Sequence, residues 1–233
     1  VYSSDLAVNT NSEKRARHPG SPEHFLESEV DLDDALRLLS GICTAPELYP
    51  DFIKLCGVDL LAGMLSHEKL DIAAAFIAIL SEMIEPDLVD DGRDEVDNLV
   101  QVLVDREVFQ GVVKCLGDRF GPEVQKEEHM EKAVNQGVSM FDNAIEIDLK
   151  YAGILGHETS ILDYCLEVMR SPSEFDGNKG DTVEVFALLI QASRENLKKA
   201  KGLGAVDVVL NTLGPYRKPR LSQEDGQKVR SEE

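Results

Sequence analysis

The chain has 233 residues, 42% hydrophobic but only 6% aromatic and without tryptophan, enough apolar content for one elongated domain or two small ones. No apolar run reaches the roughly 18 residues of a membrane span, and the polar opening Val1–Gly20 lacks the apolar core of a signal peptide. A net charge of −20 repels phosphate backbones, which argues against direct nucleic-acid binding and favours basic partners, although it equally suits a plain solvated surface.

In chain order, residues 1–30 are polar, contain Pro19 and Pro22, and form an irregular lead-in. A first helix is predicted over Asp31–Cys43, where Leu32, Ala35, Leu36, Leu39 and Ile42 recur at helical spacing behind an acidic first turn. Thr44-Ala45-Pro46-Glu47 has the form of a capping box and opens a short helix that contains Pro50 and ends at Gly57. Helices follow over Val58–Leu65 and Leu70–Glu85, the second so apolar in its middle that it must be buried on most sides. After a charged loop at Asp87–Asp94 the pattern resumes over Glu95–Val104, Glu107–Phe120 and a long stretch at Glu123–Glu146. Glu158–Met169, Thr182–Ala192, Glu195–Lys201 and Val206–Leu213 are the remaining helices, with Ser171–Gly180 a loop. Residues 215–233 are a polar tail, expected to be disordered. No strand alternation is convincing, so the fold class is all-α. Because the chain begins at Val1 and not at methionine, a fragment or a processed chain is expected.

Repetition organises these helices. The short helices ending at Leu65, Leu116, Leu166 and Leu213 are spaced 51, 50 and 47 residues apart, each with an apolar residue four positions earlier. GVDLLAGML (57–65) aligns without gaps on AVDVVLNTL (205–213). A helical unit of this size cannot bury its apolar face alone, so neighbours must stack. The expectation is an armadillo/HEAT-like α-solenoid with irregular repeats of about 50 residues over 31–214, slightly longer than the usual roughly 40–47. A globular bundle with chance periodicity is the alternative.

Chemical motifs are sparse. His67-Glu68 resembles the start of a zinc-protease helix, but the position four residues after His67 is Asp71 and no third ligand is in register; after His157 that position is Ile161. No Gly-x-Ser-x-Gly elbow occurs, GNKGD (177–181) lacks the phosphate-loop spacing and reads as a surface loop, and Cys43, Cys56, Cys115 and Cys165 lie in apolar helical stretches as buried free thiols. No catalytic, metal or cofactor site is expected. In HEKLD (67–71), His67, Glu68 and Lys69 are expected to face solvent between two helices. The basic segment EKRAR (13–17), with Lys14, Arg15 and Arg17, suits a localisation signal, an arm lying on an acidic surface, or a solvated stretch.

The stretches NSEKRARHPGSPEHFLESEVDLDDAL (11–36) and APELYPDFIKLCGVDLLAGMLSHEKLDIA (45–73) resemble the beta-catenin-like protein family, the nuclear armadillo family associated with the spliceosome. LVDREVFQGVVKCL (103–116), FDNAIE (141–146) and GAVDVVLNTL (204–213) continue the likeness, which runs from about residue 11 to the end. The resemblance implies a nuclear, non-enzymatic scaffold of a Prp-nineteen-type splicing complex that binds basic, nuclear-localisation-type segments of partners, including a Myb-related splicing factor. The family's repeat domain is longer than this chain, and Pro50 departs from its pattern where a helix is implied.

In armadillo units the third helix lines the peptide groove. Here that places Glu82, Glu85, Asp142, Asn143 and Glu146 as candidates to pair with arginine or lysine and, through Asn143, with a peptide backbone. Without tryptophan, an importin-type Trp–Asn ladder is excluded. The competing expectation is a spacer that self-associates through its repeat ends.

Overall fold

Apolar side chains at three- and four-residue spacing select helices over strands along most of this chain. The computed structural model describes residues 2–172 and 177–214, and among them are thirteen α-helices and no strand. The polar tail expected at 215–233 lies outside the described residues.

The helices sort into layers. First helices are α3 (Tyr49–Lys54), α6 (Val89–Asp105), α9 (Lys150–Glu158) and α12 (Arg194–Gly202). Second helices are α4 (Gly57–Met64), α7 (Val108–Arg119), α10 (Ile161–Arg170) and α13 (Ala205–Leu213). Third helices are α5 (Leu70–Met83), α8 (Glu128–Ile147) and α11 (Gly177–Ala192). Like packs on like from one unit to the next: α3 on α6, α7 on α10, α10 on α13, α5 on α8, and α8 on α11. This is the stacked, armadillo-like arrangement that the repeat spacing predicts. An N-terminal hairpin of α1 (Tyr2–Arg17) and α2 (Leu26–Leu39) closes one end, with α2 against α5.

One continuous core threads the units. Phe52, Phe76, Phe109 and Phe141 are all essentially inaccessible, and Phe109 meets Phe141 edge-on, with centroids 5.2 Å apart, to join α7 to α8. Each such side chain contributes about 1.5–3 kcal/mol by leaving water. The first-to-second helix junction also repeats. Cys56, Glu107 and Gly204 each adopt a left-handed conformation, with φ of 58°, 56° and 80°, immediately before α4, α7 and α13. Ser160, before α10, does not: there the Thr159 hydroxyl accepts from the Ile161 amide at 3.2 Å instead.

Units are tied by cations that cap the helix ends of their neighbours. Arg119 donates to the carbonyls of Leu65 at 2.8 Å and His67 at 2.6 Å, at the C-terminal end of α4. Lys199 gathers the carbonyls of Gly156, His157 and Thr159 at the end of α9. Arg93 caps α8 at Ile147, and Arg170 reaches Leu203 after α12. The last carbonyls of a helix lack intrahelical donors and sit at its negative end, so a cation there satisfies both needs.

Several sequence expectations are corrected. Residues 2–17 are helical, not an irregular lead-in, and α2 begins at Leu26 instead of Asp31. The apolar period misses α1 because Val8 is the one buried hydrophobic among its described side chains; Asp5–Asn9 and Glu13–Arg17 pairs support the helix instead. The capping box does not form: Thr44 bonds back to the Gly41 carbonyl, and a 3-10 turn follows over Pro46–Leu48. Pro50 sits in the first turn of α3, where no amide partner is lost, so it starts this helix without breaking it. Gly57 opens α4 and does not end the previous helix; a Cβ there would overlap the buried Phe52 ring. The charged stretch expected as a loop at 87–94 carries a 3-10 turn and the start of α6, kinked at Gly92. Lys150–Glu158 forms α9, which the sequence reading did not assign. GNKGD is the first turn of α11 and not a surface loop; Asn178 within it donates to the Glu131 carbonyl of α8 at 3.1 Å.

Candidate functional site

The third-helix layer brings α5, α8 and α11 side by side. Asp142 and Asn143 are half-buried on α8, and Glu146 is exposed one turn on. Burial raises the pKa of Asp142, and the neighbouring charges of Glu146, Glu184 and Asp181 raise it further. Glu184 and Asp181 belong to α11, so two helices contribute to one field of carboxylates that repel one another. Asn135 of α8 donates to Asp181 across the same seam.

On the other side, the Asn143 amide donates to the Ser81 carbonyl of α5 at 3.5 Å. This puts it beside Glu82, which is exposed on the last turn of α5. Glu85 is also exposed, two residues past the end of that helix. The structure therefore gathers Asp142, Asn143 and Glu146, places Glu82 next to Asn143, and leaves Glu85 at the margin. The sequence reading missed Asp181 and Glu184. Asp181 was hidden inside a stretch taken for a loop; once α11 starts at Gly177, both fall on one helix, three residues apart.

The remaining chemistry is quiet. No group of three or more histidine, cysteine or acidic side chains suited to a metal is found among the described residues. No helix of the described residues is long and apolar enough to cross a membrane. Burial pushes the thiols of Cys43 and Cys165 up to about 12, with Glu82 adding to the effect at Cys43, and also raises Cys115. Such thiols stay protonated at neutral pH and make poor nucleophiles. Cys56 is the exception to the expected burial: it is exposed on the left-handed turn before α4.

HEKLD does connect α4 to α5, but its side chains do not all face solvent. Half-buried His67 lies 3.2 Å from the Asn11 side chain of α1, through its Nε2. Glu68 pairs with Arg15 of α1, and Lys69 pairs with Glu29 of α2. Of the basic N-terminal segment, Arg15 is thus docked, whereas Arg17 is exposed and pairs within its own helix with Glu13, and Lys14 is half-buried. His157 and Glu158 are exposed at the end of α9 and share nothing with the first pair beyond their sequence.

Comparison with known proteins agrees with this architecture. The chain is 28% identical over 219 residues to beta-catenin-like protein 1 of Homo sapiens, covering 94% of this chain and 38% of the relative. The rat protein of that name matches with the same figures. The Schizosaccharomyces pombe homolog is 27% identical over 217 residues, covering 91% of this chain and 37% of its own. The chain therefore spans well under half the length of these curated relatives. The family model described as "Catenin-beta-like, Arm-motif containing nuclear" matches residues 3–229. With the stacked three-helix units already in place, that match settles the lineage: the chain belongs to the catenin-beta-like, Arm-motif containing nuclear family.

Proposed function

We propose that this chain is a non-enzymatic protein–protein interaction scaffold of the nucleus that serves the pre-mRNA splicing machinery. It binds basic, nuclear-localisation-type segments of partner proteins on the face formed by α5, α8 and α11. The observation that carries this reading is the gathering of Asp142 and Glu146 on α8 with Asp181 and Glu184 on α11; burial raises the pKa of Asp142, and the three neighbouring carboxylates raise it further. Carboxylates that repel one another gain most from an incoming guanidinium or ammonium group, because the partner relieves the repulsion as well as forming its own ion pairs. The net charge of −20 steers such a partner from a distance. Membership of a nuclear Arm-motif family supports the localisation, and nothing in the site calls for catalysis.

The test is a labelled basic peptide titrated against the native chain and a triple variant with Glu82→Lys, Asp142→Lys and Glu146→Lys. The triple variant should lose affinity at least tenfold, and binding to the native chain should weaken steeply with salt. Unchanged affinity would remove the function from this face.

A second reading has its own observation. Val58 on α4 and Leu65 at its C-terminal cap are 2% and 6% exposed; their aligned counterparts on α13, Val206 and Leu213, are 58% and 57% exposed. With Leu210 they form a bare apolar stripe, a surface that fits self-association through the repeat end. Light scattering decides it: a concentration-dependent dimer that Leu210→Glu abolishes supports this reading, and a strict monomer removes it.

A further inference from the structure

We infer that the cage holding Arg15 is an arginine-binding pocket, which α1 fills in the resting chain and an arginine-bearing segment of a partner fills when α1 is displaced. The guanidinium of Arg15 stacks over the Phe25 ring, 4.4 Å from its centroid. It pairs with the carboxylates of Glu29 and Glu68 on two different elements, and its Nε donates to Asn11 at 3.1 Å. An aromatic face below and carboxylates around the edge are the features that suit the flat, forked guanidinium better than a lysine ammonium.

Two observations make this a pocket with an exchangeable occupant. The first is that α1 is weakly anchored by apolar contact. Among its described side chains Val8 is the one buried hydrophobic, with Ala7 partly buried against the same core, and its other docking contacts are polar: Asn11 to Ser28, Asn11 to His67, and the Arg15 cage. Polar docking of this kind is screened by salt and open to competition by a like charge. The second is Glu29, whose side chain is only 6% exposed and which Arg15 and Lys69 share. With α1 withdrawn, Glu29 would keep one cation in place of two, so the vacated cage favours another cation. The strongly acidic surface brings basic chains to it. The inference rests on the proposed function only in taking the partner to be basic. It concerns a separate place on the molecule, at the N-terminal hairpin and the α4–α5 connection.

The test uses the full chain and two labelled peptides of equal length and charge, one arginine-rich and one lysine-rich, read by fluorescence anisotropy. Arg15→Ala empties the cage while keeping α1 in the chain. It should raise affinity for the arginine peptide about tenfold, because the binding-competent state no longer competes with the internal ligand. The lysine peptide should gain much less. Adding Glu68→Gln, at a carboxylate that is 80% exposed and so dispensable for folding, should remove most of the gain. Adding Asp142→Lys and Glu146→Lys instead should leave the gain intact, which separates failure of the cage from failure of the third-helix face. Equal affinity of the native and Arg15→Ala chains would overturn the inference. So would an equal gain for both peptides, a gain that survives Glu68→Gln, or a native dimer held together by exchanged α1 helices.

Discussion

Replacing Arg119 by alanine tests the view that cations at helix ends hold the units in register. Its guanidinium spans from α7 to the end of α4, donating to the carbonyls of Leu65 at 2.8 Å and His67 at 2.6 Å, with a longer contact of 3.3 Å to Glu68. A hydrogen bond to a charged group contributes about 1.5–3 kcal/mol, more than a neutral one. Two good bonds would exceed that, but the side chain is only half-buried and water reaches part of the vacated site. The expected loss is therefore about 2 kcal/mol, near the low end for a single charged bond and in line with a cation at a helix C-terminus. For a chain of this size that corresponds to a fall in Tm of about 4–8 °C. Urea denaturation followed by circular dichroism, with Arg17→Ala as control, would measure it. Arg17 pairs only with Glu13 in solvent, and its loss should stay within about 0.5 kcal/mol. A loss at Arg119 no larger than that of the control would refute the reasoning, because the inter-unit caps would then be surface decoration.

Three further outcomes follow from single residues. Glu107→Gly should stabilise the chain by about 0.5–1 kcal/mol in thermal melts, since a left-handed residue with a Cβ costs about 1–2 kcal/mol and glycine returns part of that as backbone entropy. Gly156→Ala should destabilise by about 2 kcal/mol or more, because the new methyl would overlap the Asn196 amide, which is fixed by bonds to the Ala152 carbonyl at 2.7 Å and the Leu189 carbonyl at 3.1 Å. For Asp142, whose folded pKa lies above the unfolded value, the folded state holds the proton more tightly, so stability drops as pH rises through that interval. Asp142→Asn should therefore be more stable than the native chain at neutral pH, and the advantage should vanish near pH 3, below both values; an advantage that grows toward low pH would contradict the crowding of carboxylates.

Much of the fold was legible because the apolar period is a local property. Leu61, Val112, Leu162 and Val209 recur at matching places in successive units, and their spacing announces stacked helices before any coordinates exist. Where the period is absent, reading failed. With Val8 as the one buried hydrophobic among its described side chains, α1 is held largely by Arg15 and Asn11, which reach partners 14 to 56 residues away. GNKGD carries turn-forming residues, yet it opens a helix because the Glu131 carbonyl of the neighbouring unit holds Asn178.

The same division runs through the site. Composition and apolar period alone dictated an acidic, tryptophan-free, helical chain, which leaves no side chains for an importin-type ladder. Which carboxylates act together was decided by the packing of α8 on α11, which sets Asp142 among Glu146, Glu184 and Asp181. His67, Glu68 and Lys69 likewise look like solvated punctuation in the sequence, and become the far wall of the α1 dock once the hairpin folds back on them. Helix periodicity is written in neighbours three and four residues apart, whereas ion pairs and helix caps join residues some fifty apart, and only the stacked structure brings those together.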